Sequence, residues 1–308
     1  LRASTFTLAG LDMEAVHVTD VSGRGRIDDC NVWVPDGFEP AAALAVLNCA
    51  ELVISRTIVF GEHDYLAGPG VSAGMGITIQ SSRVTLVGCK ACGGAGDDQS
   101  LFGGGPYSGG AGLWVTDGSE VVLAGTSIVG GTGGWPYAFQ QGAPGGPAVS
   151  VTGATVSIRC DATDELRGGQ PGSNSTIYGA AIKATDSTIV SSGLKYTKGG
   201  FSFSNSLFIQ PTPAEPFLAV SGETAPGATF SIEIHGPLGA TALLAASPGP
   251  ALATLLGFEG PLWLDPSLPL VLIPIISAGQ DTPVALSASM PRSVAGLEGT
   301  CFELQVFF

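Results

Sequence analysis

The fold is decided by four copies of one short pattern: GITIQSSRVTLVGC (residues 76–89), GLWVTDGSEVVLAGT (112–126), PAVSVTGATVSI (147–158) and AAIKATDSTIVSS (180–192). One apolar position recurs in the copies about every 33–36 residues, and a fifth copy, LAVLNCAELVIS, precedes them. The equivalent residues are Leu47, Ile79, Val115, Val151 and Ala184. Repeats of this length are typical of solenoids and propellers.

Each copy alternates apolar and other residues, turns at a short polar break, and then alternates again. In the first copy, Ile77 and Ile79 precede a Ser-Ser break, and Val84 and Leu86 follow it. A period of two is a strand signal, and Ser, Gly, Asp and Asn are turn formers. Each unit is therefore predicted to be a strand, a tight corner and a second strand, followed by a glycine-rich connection. The copy GLWVTDGSEVVLAGT has one extra residue, which we expect a β-bulge to absorb.

A single unit cannot bury its apolar face, but stacked copies can. The favoured arrangement is a right-handed parallel β-helix, an all-β solenoid with Val, Ile and Leu stacked inside. A β-propeller is the main alternative, because its repeats have a similar length. Propeller blades have about four strands per ~40 residues and a recurring aromatic or Trp-Asp signature. Each unit here has two clear strands, room for a third and no such signature, which favours the β-helix.

The composition indicates a turn-rich β protein. Only 12% of the 308 residues are charged, and the 46 glycines are about twice the usual frequency. The formal net charge of −14 argues against nucleic-acid binding, because phosphate recognition needs clustered Lys and Arg. The longest apolar stretch near the end, Leu268 to Ile276, is too short to span a bilayer. The absence of an initiator Met fits a cleaved signal peptide or trimming, and we expect a secreted or cell-surface protein.

Two domains are expected. Residues 1–210 form the predicted β-helix with its glycine-rich loop insertions. The proline-rich stretch IQPTPAEPF (residues 209–217) resembles an interdomain linker. Beyond it the double glycines of the loops cease, and about seven strand-like runs occur within residues 211–308, with Pro and Gly between them. This spacing predicts a small β-sandwich of Greek-key type.

The chain has six cysteines, Cys30, Cys49, Cys89, Cys92, Cys160 and Cys301. An even number suits disulfides in an exported protein. We expect the pairs Cys30–Cys49 and Cys89–Cys92, which leaves Cys160–Cys301 by elimination. The Cys89-Lys-Ala-Cys92 spacing also occurs in zinc and redox sites, but a second ligand pair or an α/β context would then be needed. A local disulfide is therefore favoured, and no metal or cofactor is expected.

Polysaccharide lyases and hydrolases are often β-helices, and they need clustered carboxylates with a basic residue, or paired carboxylates. The candidate residues are Glu62, His63, Asp64, Asp97, Asp98, Asp161, Asp164 and Glu165. Their candidate basic partners are Arg56, Arg83, Lys90 and Arg159. None of them has a spacing that a reaction demands, and most are loop residues of the kind expected in solvent. Catalysis is therefore not favoured, and no catalytic residue is assigned.

Aromatic residues occur at the predicted loop tips. They are Tyr107, Trp135, Tyr137, Phe139 and Tyr178. Exposed rings on loops stack on sugars or anchor protein interfaces. The same rings could instead fold back and cover the flank of the solenoid. They are the candidate binding residues, with a polysaccharide as the possible ligand.

The chain resembles secreted proteins of planctomycete-type bacteria, in which a Gly-Gly-punctuated right-handed β-helix precedes a short β-sandwich. The resemblance is carried by the GG…G(L/I/V)xV units between Gly74 and Gly200, by GPLWLDP (residues 260–266) and by FELQVFF (residues 302–308). It covers nearly the whole chain, and its motifs are structural. It implies a cell-surface or extracellular-matrix component and transfers no catalytic residue.

The predicted function is that of an extracellular structural subunit that assembles head to tail into a fibre, filament or surface layer. A β-helix ends in strand edges that must be capped or paired, and both LRASTFTLAG (residues 1–10) and FELQVFF are strand-like. A contact between two different ends propagates into a filament unless it closes. A carbohydrate-binding adhesin is the main alternative, and a polysaccharide lyase or hydrolase is less favoured.

Overall fold

The computed structural model describes residues 5–34, 42–61, 73–96, 106–135, 141–159, 165–192, 196–209, 217–222, 229–235, 241–247, 250–253, 262–264, 271–276, 284–289 and 303–307. The regular secondary structure of these residues is entirely β-strand. The chain divides into two compact units, Leu1–Gln210 and Pro211–Phe308. Within the described segments, no helix has the length and apolarity that crossing a membrane requires.

The first unit consists of short strands that follow one another around a stack of coils. In chain order they are β1 (Thr5–Ala9), β2 (Asp12–Glu14), β3 (Val16–Thr19), β4 (Arg24–Asp28), β5 (Asn31–Trp33), β6 (Ala42–Leu47), β7 (Glu51–Ser55), β8 (Ile58–Phe60), β9 (Met75–Gln80), β10 (Arg83–Val87), β11 (Lys90–Cys92), β12 (Leu113–Thr116), β13 (Glu120–Ala124), β14 (Ser127–Val129), β15 (Val149–Thr152), β16 (Thr155–Arg159), β17 (Leu166–Arg167), β18 (Ile182–Thr185), β19 (Thr188–Ser192), β20 (Tyr196–Lys198), β21 (Phe201–Ser204) and β22 (Leu207–Ile209).

These strands form three parallel sheets, and each full coil contributes one strand to each sheet. Sheet A has the order β1-β4-β7-β10-β13-β16-β19-β22, sheet B the order β2-β5-β8-β11-β14-β17-β20, and sheet C the order β21-β18-β15-β12-β9-β6-β3. The chain passes from sheet C through a corner to sheet A, through a second corner to sheet B, and by a long connection back to sheet C. This order is that of a parallel β-helix, so the predicted fold class is confirmed, with a third strand in every coil.

The predicted interior column is correct except at its two ends. Ile79, Val115, Val151 and Ala184 are consecutive partners in sheet C, and all four are buried. Leu47 is wrong, because it pairs with Gln80 while Val46 pairs with Ile79. A shift of one residue turns a strand side chain to the opposite face, so Val46 is buried and Leu47 is half-buried. The column also continues past Ala184 to Phe203.

The corners between sheets C and A are made by residues with a left-handed backbone. Their φ angles lie between 47° and 61°, at Asp20, Asn48, Ser81, Asp117, Gly153, Asp186 and Asn205. Asn, Asp and Gly are the residues that most readily adopt this conformation. The extra residue of the GLWV copy lies here, since Asp117 and Gly118 both have positive φ and β12 and β13 pair regularly on both sides. The predicted bulge is therefore wrong.

A ladder of hydroxyl groups joins successive corners. The Oγ of Ser82 accepts a hydrogen bond from the Cys49 N–H at 2.9 Å, and the Oγ of Ser119 accepts one from the Ser82 N–H at 3.2 Å. The Ser82 hydroxyl in turn donates to the Gln80 carbonyl at 2.7 Å. Ser187 and Ser206 repeat the arrangement in later coils. Small hydroxyl residues thus satisfy backbone groups that each corner would otherwise bury without a partner.

The second unit contains antiparallel strands only, among its described residues. They are β23 (Phe217–Gly222), β24 (Thr229–His235), β25 (Thr241–Ser247), β26 (Pro250–Ala253), β27 (Leu262–Leu264), β28 (Val271–Ile276), β29 (Val284–Ser289) and β30 (Glu303–Phe307). Two three-stranded sheets have the orders β23-β24-β29 and β28-β25-β30, and β26 pairs with β27. Ile232 and Ile234 of β24 are buried. The face-to-face packing of these sheets as a sandwich stays a prediction.

Candidate functional site

The glycine-rich connections pack against one another as an ordered bundle of extended arms. In each coil an outgoing arm leaves sheet B and a return arm leads back to sheet C. We define the glycine bundle by the arms 93–96, 106–112, 130–135, 141–148, 168–173 and 174–181. One column of N–H···O bonds of 2.8–3.0 Å links outgoing and return arms alternately through Gly74, Gly94, Gly110, Gly131, Gly146, Gly169 and Gly179.

The hydrogen bonds of the bundle recur every three residues. The N–H groups of Gly109 and Gly112 donate to the carbonyls of Pro144 and Pro147 on the next return arm. Burial has the same period, because in GGTGGW (residues 130–135) only Thr132 and Trp135 are exposed. Three residues per turn, with all hydrogen bonds made to neighbouring segments, are the features of a polyproline II helix. The bundle is therefore a two-layered stack of such helices with every third residue facing solvent.

Glycine is required in the bundle because the arms approach each other too closely for a side chain. A Cβ on Gly131 would lie within 3.0 Å of the Gly94 carbonyl group, and a Cβ on Gly169 would meet the Gly131 carbonyl in the same way. The sequence had suggested that these glycines serve unusual dihedral angles. That interpretation is wrong for the interior of the bundle, where the glycines are not among those with positive φ. Close packing is the physical reason for the pattern, as at the axis of the collagen triple helix.

The structure places three of the five predicted aromatic residues on this bundle. Trp135 is 63% exposed, Tyr178 is 43% exposed and Tyr107 is half-buried. Tyr107 and Trp135 lie at the same level on adjacent arms, because the Gly134 N–H donates to the Tyr107 carbonyl at 2.9 Å. Tyr178 precedes Gly179 of the glycine column and lies about one turn closer to the β-helix. The other two, Tyr137 and Phe139, lie outside the described residues.

The candidate catalytic residues do not converge on one site within the described part of the chain. The Arg56 guanidinium pairs with Asp28, Arg83 pairs with Glu120 at 2.9 Å, and Glu165 pairs with Arg167 at 3.7 Å. Lys90 lies on the outer face of sheet B, and only the backbone of Arg159 is described. The described residues contain no group of three His, Cys, Asp or Glu side chains that could hold a metal ion. Candidates outside the described residues are Glu62, His63, Asp64, Asp97, Asp98, Asp161 and Asp164.

The cysteines at the corners take the places of hydroxyl residues and are not bridged. Cys49 precedes Ser82 in the corner ladder, and Cys30 and Cys89 alternate with Thr57 and Thr126 in the corners between sheets A and B. All three are buried free thiols, and the Cys89 Sγ donates to the carbonyls of Ile54 and Val87 at 3.3 and 3.4 Å.

This placement corrects two of the expected disulfides. Cys30 and Cys49 lie at opposite ends of a sheet A strand, which is about 17 Å for five residues, whereas a disulfide needs Cα atoms within about 7 Å. Cys89 points into the core while Cys92, also a free thiol, is half-buried on the outer face of sheet B. Neither Cys30–Cys49 nor Cys89–Cys92 is formed. The pair Cys160–Cys301 lies outside the described residues.

An exposed apolar stripe on sheet B was not predicted. Trp33, Phe60, Cys92 and Val129 are successive partners in register across β5, β8, β11 and β14. Trp33 is 37% exposed and Phe60 is 45% exposed. The signal was present in the sequence, because NVW and IVF each place an aromatic residue two positions after a polar or exposed one, on the outer side of a buried Val.

The two ends of the β-helix present unpaired strands in the described part of the chain. Sheets A, B and C end at β1, β2 and β3 on one side and at β22, β20 and β21 on the other. The last coil carries three rings whose centroids lie 5.4–5.6 Å apart, those of Phe201, Phe203 and Phe208. Phe203, Leu207 and Ile209 are 39%, 57% and 38% exposed. The final coil is therefore apolar on surfaces that the interior coils cover with further coils.

The sequence matches no protein family model, and it matches no curated protein. Among solved structures it is similar to the crystal structure of the enzymatically active domain of tailspike protein 4 of bacteriophage CBA120, with a TM-score of 0.24 and 11% sequence identity. The alignment covers 96% of this chain and 52% of that one, so the chain spans about half the length of the phage domain. At so low a TM-score the similarity transfers no activity. The β-helix is established by its own strand order and register.

Proposed function

We propose that this protein is an extracellular structural subunit that assembles end to end into a fibre, filament or surface layer. The observation that carries the proposal is the pair of open ends of the β-helix, where all three sheets stop at an unpaired strand in the described residues. Exposed strand edges are templates for pairing with another chain. The strands in each sheet are parallel, so the two ends differ, and a contact between them is heterologous and propagates.

The composition of the last coil supports pairing at that end. Leu207 and Ile209 face outwards on β22, at positions equivalent to Thr188 and Val190 in the preceding coil. Phe203 likewise extends the interior column by one further residue. Burying such apolar side chains stabilises an association by about 25 cal/mol per Å². An added coil from a second molecule would bury the Phe201, Phe203 and Phe208 rings as interior columns bury theirs.

Two further features suit a durable exterior material. The glycine bundle and the corner ladder give each coil hydrogen bonds to both neighbouring coils in addition to its sheet bonds. Only 12% of the residues are charged, which leaves few groups whose titration alters the surface. The resemblance to planctomycete-type secreted proteins supports an extracellular location. The secreted location, the self-association and this family relationship all belong to the proposal.

The test compares assembly of the unmodified full-length protein with that of a variant at the open edge. Leu207→Lys/Ile209→Lys places two charges on exposed, outward-facing edge positions without altering the core. Thr155→Lys is the matched control, because Thr155 is exposed and occupies the same outward column two coils inside the edge. Sedimentation velocity over a range of concentrations and negative-stain microscopy measure assembly, and circular dichroism measures folding.

We expect the unmodified protein and Thr155→Lys to form concentration-dependent linear assemblies, and the double variant to stay monomeric and folded. Loss of two buried apolar side chains should raise the dissociation constant by at least about tenfold. A monomeric unmodified protein at the highest attainable concentration contradicts the proposal. Equal assembly of the edge variant and the control contradicts the assignment of this edge.

A further inference from the structure

The outer face of sheet B has an aromatic strip that runs along the axis of the β-helix. The Trp33 and Phe60 side chains project from partnered positions in adjacent coils, which lie about 4.8 Å apart. Ile58 is exposed beside them, and Cys92 and Val129 continue the strip in the next two coils. The rigid register of the parallel sheet therefore holds the side chains in a row before any ligand arrives, which lowers the entropy lost on binding.

Polar and cationic groups flank the strip. Asn31 and Lys90 occupy the outward column next to it, in register with Ile58 between them. Arg167 extends the strip beyond Val129 and has its own ion pair with Glu165. Burial raises the pKa of the Cys92 thiol, and the charges that act on it are those of Lys90 and Arg167, which both lower it. The local field is thus positive on a chain whose formal net charge is −14.

We propose that this face of sheet B binds an acidic polysaccharide chain, lying along the solenoid axis, with sugar rings stacked on Trp33 and Phe60 and uronate carboxylates near Lys90 and Arg167. The apolar faces of pyranose rings pack on aromatic side chains, and their hydroxyl groups need polar neighbours such as Asn31. A carboxylate on the sugar complements the cationic end of the strip. A protein partner would require a broader apolar centre than this narrow, interrupted strip provides.

The proposed site goes beyond the proposed assembly and is independent of it. Sheet B forms a flank of the β-helix, and the strip runs across coils that lie between the two ends. End-to-end contact would therefore leave the strip accessible and repeat it in every subunit. A filament would then bind a polysaccharide at many sites at once, which raises its avidity without any new contact.

Binding is measured with the full-length protein by isothermal titration calorimetry and by affinity electrophoresis. The probes are polygalacturonate and alginate as acidic chains, with dextran as a neutral chain. The variants are Trp33→Ala, Phe60→Ala and Lys90→Gln, all at exposed outward positions. Trp135→Ala is the matched control, because Trp135 is an exposed tryptophan on the glycine bundle, about 19 Å along the chain from the strip at Val129. It also tests the loop-tip residues that the sequence suggested.

We expect an acidic chain to bind more tightly than dextran, and Trp33→Ala and Phe60→Ala each to weaken that binding about five- to tenfold. Lys90→Gln should weaken it as well and reduce its dependence on salt. Trp135→Ala should bind like the unmodified protein. The proposal is overturned if no acidic chain binds, if Trp135→Ala alone abolishes binding, or if the strip variants change the oligomeric state and leave binding intact.

Discussion

Substituting Gly131 by alanine should destabilise the first unit far more than an ordinary surface mutation. The new Cβ would lie within 3.0 Å of the Gly94 carbonyl and against the Gly110 N–H. To relieve this clash the arms must separate, which disrupts the bond from the Gly131 N–H to the Gly110 carbonyl and the bond from the Gly146 N–H to the Gly131 carbonyl, both 2.8 Å. Two hydrogen bonds at about 1 kcal/mol each, with overpacking of 1–3 kcal/mol, give a loss of roughly 3–5 kcal/mol.

Two control variants separate packing from other effects. Thr132→Ala changes the next residue, which faces solvent, and should alter stability by no more than about 0.5 kcal/mol. Gly88→Ala tests the cost of the backbone conformation alone, because Gly88 has a φ of 60° with nothing within 4 Å of a new Cβ. It should cost about 1–2 kcal/mol.

The assay is urea unfolding of the full chain, together with hydrogen exchange of peptides that cover residues 106–112 and 130–135. Exchange reports the bundle separately from the second unit, whose unfolding need not coincide with that of the first. We expect faster exchange in both arms of Gly131→Ala and unchanged exchange in Thr132→Ala. If Gly131→Ala is no less stable than Gly88→Ala, close packing is not the reason for the glycine pattern.

Two further predictions concern the corners of the β-helix. Ser82→Ala removes the acceptor of the buried Cys49 N–H and should cost about 1–3 kcal/mol in urea unfolding; a loss no larger than that of the exposed control Ser202→Ala would refute the hydroxyl ladder. Burial raises the pKa of Cys89 from 9.0 to about 11. Between these pH values the unfolded thiol releases its proton while the folded one keeps it, so stability should be constant below pH 9 and fall by roughly 2–3 kcal/mol towards pH 11. Cys89→Thr, which copies Thr57 and Thr126, should remove that part of the decline, and identical pH profiles for the two proteins would contradict it.

The alternation of the sequence predicted the interior column wherever polar residues mark the outer face. It failed at LAVL (residues 44–47), because apolar residues occupy both faces of β6 and the period of two is ambiguous there. The corner provides the missing register. Asn48 and Ser81 both have positive φ, and Val46 and Ile79 each lie two residues before them. Aligning the copies on their polar breaks would have identified Val46 instead of Leu47.

The cysteine pairs could not be derived from the number of cysteines. An even count indicates a disulfide framework only when side chains can meet, and here the corners keep them in stacked columns. The copies themselves contain the relevant signal, because Cys49 aligns with Ser82 and Cys89 aligns with Thr126. A cysteine that alternates with Ser or Thr at a corner is predicted to donate to a carbonyl, as Cys89 does.

The glycine bundle escaped prediction because its period is neither that of a strand nor that of an α-helix. The pattern of GGTGGW and GGP (residues 145–147) has a period of three, which is the signature of a polyproline II helix when glycines occupy the two packed positions. The exposed third position could have been predicted from the same pattern. It would have separated Trp135 from the buried residues of its arm.

The three-residue repeat of the bundle has a consequence for how the connections can change in length. Each turn of an arm advances about 9.3 Å. Inserting one Gly-Gly-X triplet into an outgoing arm and another into its return arm would preserve the hydrogen-bonded columns and move the loop tip outwards by one turn. An insertion of one or two residues would instead turn a side chain into the neighbouring arm. Loop length in this protein is therefore expected to vary in steps of three per arm, so that the reach of a loop is quantised while the coils beneath it stay unchanged.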